Sequence, residues 1–526
     1  MVVSRRQLLR YGVTGSVAAL VGVSAVSSAR FPAPRRLGEL FSLGVASGEP
    51  TPDGVVLWTR LAPDPLAPDG YGGMPLAAVT VDYEVAEDER FTKVVATGSA
   101  VATRALGHSV HPEVSGLAPD RWYYYRFRAG SEISPTGRTR TAPAPGSPTS
   151  RMRFAFASCQ SWSSGYYTAY EHLSAEDLDL VVHLGDYIYE TSWLLARRGA
   201  HLPAQLEGEA VDLAGYRLRY AQAKSEAPLR AAHAAFPWLV TLDDHELDNN
   251  WAGVHPGLGF DVHRLAPMFR RRKAAAFQAM YEHQPMRLAQ VPAGPSMPLH
   301  RRYRFGDLAE FTMIDTRQYR SAQACGDGKA VTGCSERYAT DRTILGAAQR
   351  DWLVDGLATS SARWQVLGNQ VAMAQSDYDP GPELLLGTDA WDGYIADRNT
   401  VLGTAADRAA GNLVVITGDR HENYVADLRR DYQDPESPVV ATEFTGTSIT
   451  TGGDGADISD AGRALLAANP DMKFYNRQRG YVRVELDHQL WRNDFRVVPY
   501  VTRPGAPVTT RASFVVQDGI PGAVQA

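Results

Sequence analysis

"LDLVVHLGDYIY", Leu178 to Tyr189, decides how the chain is read. Leu180, Val181 and Val182 form a short apolar run bounded by glycine, which reads as a strand. The run stops at Gly185, and the polar groups that follow, Asp186 and Tyr189, are both able to hold a cation. An apolar strand that delivers a ligand belongs to a layered fold, in which loops at the carboxyl ends of strands carry the chemistry.

Working outward, the same pattern recurs. "FAFAS" ends on Cys159, "WLVTL" runs into Asp243, Asp244 and His245, and "LVVITGD" ends on Asp419 with His421 two residues on. Helical stretches such as "YTAYEHLSAED" and "MFRRRKAAAFQAMYEH" alternate with these strands, so residues 151–520 read as one domain of mixed α and β structure. Singly, each residue has an ordinary explanation. A cysteine after "FAFAS" is a small core residue, an aspartate after glycine caps a turn, and a lone histidine is structural. Jointly, four strand ends bearing the same class of group point to convergence on a metal site. Carboxylates suit hard ions such as calcium, whereas a thiolate beside a phenolate favours a Lewis-acidic iron.

Upstream the texture differs. "DGVVLWTRL", "VTVDYEV", "KVVATG" and "WYYYRFRAG" are short strands separated by turn residues, and "LAPDRWYYY" has the spacing of a tyrosine corner. Residues 37–142 therefore read as a fibronectin-like or immunoglobulin-like β-sandwich, with the proline-rich stretch Thr141 to Ser150 as a linker. The first 29 residues, with Arg5 and Arg6 ahead of a short apolar run and small residues near Ala29, read as an export signal. The arginine pair resembles the twin-arginine type, which implies export of a folded, cofactor-loaded protein through that machinery and a secreted or cell-envelope location. A retained membrane anchor is the other reading of that segment.

Composition excludes some classes. The net charge of −6 comes without basic blocks, so binding nucleic acid by phosphate neutralisation has no support. Of the three cysteines, Cys325 and Cys334 are spaced to pair in a short loop, a bridge contributing about 2–3 kcal/mol in an oxidising compartment, and Cys159 is left over.

These residues also carry a family resemblance. "GDYIY" resembles the G-D-x-x-Y motif of the calcineurin-like metallophosphoesterases, "DDHE" a variant of their G-N-H-E, and "GDRH" their G-H-x-H. Cys159 stands where that superfamily has its first aspartate, and with "LGVASGEPTPDGVVLWTRL", "DTRQYR" and "RGYVRVEL" this departure is similar to the PhoD-type alkaline phosphatases and to actinobacterial secreted phospholipases D. The resemblance implies a four-layer αββα core, one iron(III) and two calcium ions, and extracytoplasmic hydrolysis of phosphomonoesters, phosphodiesters or phospholipids by a metal-activated oxygen nucleophile. Asp186 is expected to bridge, with Cys159, Tyr189 and His421 on iron, Asp244 and Asp419 on the calcium side, and His245 either contacting or protonating the leaving oxygen or orienting a ligand. Arg317 is expected to grip a phosphate oxygen or to form a surface salt bridge, while Asp243 and Asn249 are candidates for orienting ligands. The protein is expected to act as a monomer, with the glycine-rich segment from Gly446 to Arg479 covering the entrance.

Rival chemistries fail on particular positions. A cysteine-nucleophile phosphatase needs an arginine six residues after the thiol, where this chain has Gly165. No G-x-S-x-G elbow, Walker A loop or H-E-x-x-H helix occurs. A calcium-stabilised extracellular binding protein is the rival of another class, and it has no use for a cysteine and a tyrosine at strand ends.

Overall fold

The computed structural model describes residues 39–191, 198, 202–258, 262–326, 329–407 and 412–526. The export signal expected over residues 1–29, with Arg5 and Arg6, lies outside the described residues. Among them, no helix is long and apolar enough to cross a membrane.

The strand Leu180–His183 is buried along its whole length and runs parallel to Met152–Ala157 on one side and Pro237–Val240 on the other. Its continuous apolar character follows from being covered twice. Leu180 and Val182 join Phe154 and Phe156 in a core shared with Phe311, Val366 and Ile416 of a second, seven-stranded sheet. Val181 faces the other way, into a core with Trp238, Tyr170, Phe277 and Met280 that seats helices including Thr168–Ser174 and Ala266–His283. In the second sheet Leu367 and Val415 point outward against Leu353, Leu357 and Leu402 of helices Ala347–Thr359 and Ile395–Asp407. Helix, sheet, sheet and helix layers therefore stack in the expected αββα order.

The amino-terminal strands form a five-stranded sheet that packs Val81, Val85, Tyr125 and Phe127 on Val55 and Leu57. The tyrosine corner is present: the Tyr123 hydroxyl accepts a hydrogen bond of 2.9 Å from the Ala118 amide. The facing strands, however, do not form a detached sheet. Val45–Thr51 pairs in parallel with Pro237–Val240, Ser47 opposite Pro237 and Gly48 opposite Trp238, so half of this β-layer prolongs the eleven-stranded sheet that carries the candidate ligands. Gly48 permits the approach, since a Cβ there would lie 2.5 Å from the Pro285 carbonyl oxygen and 2.7 Å from that of Trp238. Cys325 and Cys334 are joined in a disulfide, leaving Cys159 as the unpaired, buried thiol.

Candidate metal centre

Each loop of the site leaves its strand abruptly. Cys159, Asp186, Asp419 and His421 have positive φ of 58°, 55°, 62° and 58°, a left-handed conformation that costs a non-glycine residue about 1–2 kcal/mol. Strain of this kind persists where surrounding structure enforces it, and it clusters at functional sites. Gly185 brings two of the loops together, because any side chain there would collide with Asp243 at 2.5 Å.

The expected ligands meet. Cys159, Asp186 and His421 present ligand atoms within 4.8 Å of one another, as do Asp186, Asp244 and His245, and Asp243, Asp244 and Asp419. Asp186 and Asp244 each belong to two of these sets, so the three form one continuous site. The Tyr189 hydroxyl lies 3.0 Å from Asp186 Oδ2 and 3.1 Å from His421 Nε2, which adds the phenol to the thiol side. Cys159, Asp186 and Asp244 are sealed from solvent, whereas Asp419, His421 and His245 are half-buried and define the open edge.

His245 is held by Glu190, whose Oε2 lies 2.7 Å from Nδ1, and by Tyr189, on which its ring stacks at 4.1 Å. Arg317, read from the sequence as a phosphate or surface group, is fully buried. Its Nε donates to Asp243 at 2.5 Å and Nη1 to Asp389 at 2.9 Å, with Asp244 at 3.6 Å. Asn249 is exposed and engages the site through its backbone amide, which donates to Glu190.

Electrostatically the site is overloaded with acid. Burial, reinforced by Asp244, Asp243 and Glu246, pushes the Asp186 carboxyl well above the usual carboxylate range despite His245. Burial and the neighbouring carboxylates Asp244 and Asp389 push Asp419 up to about 6. Burial and Asp186 raise the Cys159 thiol and the Tyr189 phenol alike. Asp243 Oδ2 and Asp244 Oδ1 are buried without a hydrogen-bond partner. Orphaned acceptors amid crowded carboxylates fit bound cations, which would replace the protons this crowd otherwise takes up. Thiolate, phenolate, imidazole and carboxylate together make a donor set for a transition metal on one side and a hard cation on the other.

Several residues of the site were not singled out from the sequence. Glu246 accepts the amides of Asp186, Tyr187 and Asp243 at 3.0, 2.6 and 2.7 Å, tying two strand-end loops together. It lies inside "DDHE", a signal that could have found it, as Glu190 lies at the end of "GDYIYE". Asp389, which accepts from Arg317, Arg320 and Gln323, has no such signal. Nor has Thr451, whose hydroxyl lies 2.7 Å from the Cys159 carbonyl and 2.9 Å from the Tyr189 oxygen. Of the segment from Gly446 to Arg479 expected at the entrance, the first residues are interior: Thr447, Ser448 and Thr450 are fully buried, and Ser448 bridges Ser158 beside the cysteine loop. Residues 449–451 support the site because their hydroxyls and amides satisfy that loop's backbone. A further acidic set, Glu190, Glu209 and Asp248, is matched by Arg264 and Arg272 in an ion-pair network.

An αββα fold with a strand-end cluster of this kind defines a metallophosphoesterase. The PhoD-like phosphatase family matches residues 154–495, and its N-terminal domain matches residues 26–143. Alkaline phosphatase D of Bacillus subtilis (strain 168) is 47% identical over 479 residues, 91% of this chain and 81% of that protein. Among solved structures, one described as that of PhoD superposes with a TM-score of 0.89 at 46% identity, covering 94% of this chain and 93% of that one. The purple acid phosphatase PPD1 of yellow lupin (Lupinus luteus) seeds shares the fold at a TM-score of 0.52 and 12% identity, over 90% of this chain and 74% of its own. The chain belongs to the PhoD-like phosphatase family and is a metal-dependent phosphoester hydrolase.

Proposed function

We propose that the protein is an exported alkaline phosphatase or phosphodiesterase whose site takes one iron(III) and two calcium ions. Cys159, Tyr189 and His421 would hold the iron, Asp186 would bridge, and Asp244 and Asp419 would serve calcium. The observation that carries this reading is the joining of the three ligand sets through Asp186 and Asp244. Cations bound there supply charge neutralisation for the phosphoryl oxygens and a more acidic water as the source of the nucleophile. The Cys325–Cys334 disulfide suits an oxidising compartment, in keeping with the twin-arginine reading of residues 1–29. Residues 37–142 would form one domain and residues 151–520 the catalytic one, with the protein acting as a monomer.

The chain's own residues then divide the work. His245 is the general acid: a carboxylate can only accept, so Nδ1 carries the proton toward Glu190 and Nε2 is left to serve the leaving oxygen. In the metal-free protein burial opposes its charge, but Glu190, Asp244 and Asp186 outweigh burial and raise it well above its ordinary range; with cations on Asp186 and Asp244, Glu190 is the partner that remains. Stacking on Tyr189 fixes the ring plane. Arg317 acts through others: it orients Asp243 and moderates the repulsion between Asp243 and Asp244.

Metal removal tests the reading. Dialysis against a chelator is expected to abolish hydrolysis of a nitrophenyl monoester, a bis-nitrophenyl diester and phosphatidylcholine, whichever of them the untreated enzyme cleaves. The far-ultraviolet circular dichroism is expected to stay unchanged. Iron(III) with calcium should restore turnover, and the restored protein should absorb visible light through a tyrosinate–iron band that Tyr189→Phe removes. A colourless preparation, fully active with zinc alone, would overturn the metal assignment.

A further inference from the structure

The loop that bears Asp419 and His421 carries Arg420 between them, and all three are half-buried on the open edge of the site. The guanidinium is held by two phenols. Nη1 donates to the Tyr378 hydroxyl and Nη2 to that of Tyr424 at 3.3 Å, with the ring centres 5.1 and 5.7 Å away. Neutral hydroxyls fix the orientation of a cation without cancelling its charge. The Nε atom is buried and has no partner.

Fully buried arginines of this protein are tied to carboxylates or, as with Arg60, Arg337 and Arg479, to backbone carbonyl oxygens. Arg317 ends on Asp243 and Asp389, Arg217 on Glu282 at 2.6 Å, and Arg398 on Asp392 at 2.5 Å. No ion pair among the described residues includes Arg420. Glu422, two residues on, is engaged by Tyr475 at 2.8 Å, by Tyr424, and by Arg477 at 3.6 Å. A guanidinium offers five N–H donors in a rigid fork that matches phosphate oxygens, and the two phenols engage only its two terminal nitrogens. A pre-oriented cation with donors to spare, on the edge by which a phosphate ester must enter, is suited to an anionic oxygen.

We propose that Arg420 binds a phosphoryl oxygen of the substrate and favours dianionic phosphomonoesters over monoanionic diesters, a preference that rests on the phosphoesterase reading of the adjoining centre. In a diester one of the charged oxygens carries an organic group, so a charge-assisted hydrogen bond from the fork is lost or weakened. Tyr378 and Tyr424 are positioning residues that hold the fork in place.

The test compares kcat/KM for 4-nitrophenyl phosphate and bis(4-nitrophenyl) phosphate in the metal-loaded enzyme and its variants. Arg420→Gln is expected to lose about 10–100-fold on the monoester and less than about 3-fold on the diester, the range for a hydrogen bond to a charged group. Inhibition by inorganic phosphate should weaken in parallel, with metal content unchanged. Arg420→Lys and Tyr378→Phe, which keep the charge but lose the fork or its orientation, should fall between wild type and Arg420→Gln on the monoester alone. Equal losses on both esters, no loss on either, or a loss of bound metal would overturn the assignment. A wild-type enzyme inactive on every ester would refute the phosphoesterase reading instead.

Discussion

Asp186→Asn is expected to lower kcat/KM by about 10³-fold or more while leaving the metal-free protein as stable as wild type, or more so. The loss follows from removing the carboxylate common to two ligand sets, since cation stabilisation of the transition state is worth several kcal/mol and each 1.36 kcal/mol is tenfold. The stability half follows from three observations. The carboxyl is buried among Asp244, Asp243 and Glu246, and this environment disfavours its charge. Its backbone is left-handed at φ 55°, a conformation asparagine tolerates well. An asparagine oxygen can also still accept the His245 amide, now 3.2 Å from Asp186 Oδ1. Steady-state kinetics together with thermal melts of the apo forms check both halves. A variant that loses activity only because it unfolds would contradict the account.

The second large effect is on stability. Arg317→Met should destabilise the apo protein by about 3–5 kcal/mol, because it leaves the buried Asp243 without its ion-pair partner, whereas the half-buried Asp389 keeps Arg320. Methionine fills the volume, so the loss is electrostatic rather than a cavity. Arg317→Lys should recover part of it, limited by the missing fork. In a double-mutant cycle with Asp243→Asn, the combined cost should fall well short of the sum. Urea unfolding in chelator is the measurement. A loss below about 1 kcal/mol would show that Arg317 does not hold the carboxylates in place.

The parts of the fold and site that were legible in the sequence share one property: their signal is local. A doubly covered strand shows as an apolar run, and a loop that turns at once presents its ligand within a few residues of that run. Cys159, Asp186, Tyr189, Asp244, Asp419 and His421 could all be read this way, whereas the layer order followed only from the family resemblance of their motifs. Partnerships across long separations could not. Thr451 meets Tyr189 across 262 residues, and Arg317 meets Asp243 across 74, from loops with no periodicity of their own. That is why the sequence marks Arg317 but not what it touches. The parallel pairing of Ser47 with Pro237 is a further case, since strand edges carry no local mark of their neighbour. Thr450 and Thr451 were illegible for a related reason: hydroxyls that look like those of a surface loop here satisfy the backbone of a buried one.

Crystallography of the purified, metal-loaded protein, with data collected at the iron absorption edge, bears most directly on the claim that these strand ends form one metal centre. An anomalous peak bounded by Cys159 Sγ, Asp186, Tyr189 and His421, with further density beside Asp244 and Asp419, is the predicted result. An active enzyme whose ions lie elsewhere, or whose Cys159 thiol touches none of them, would contradict it.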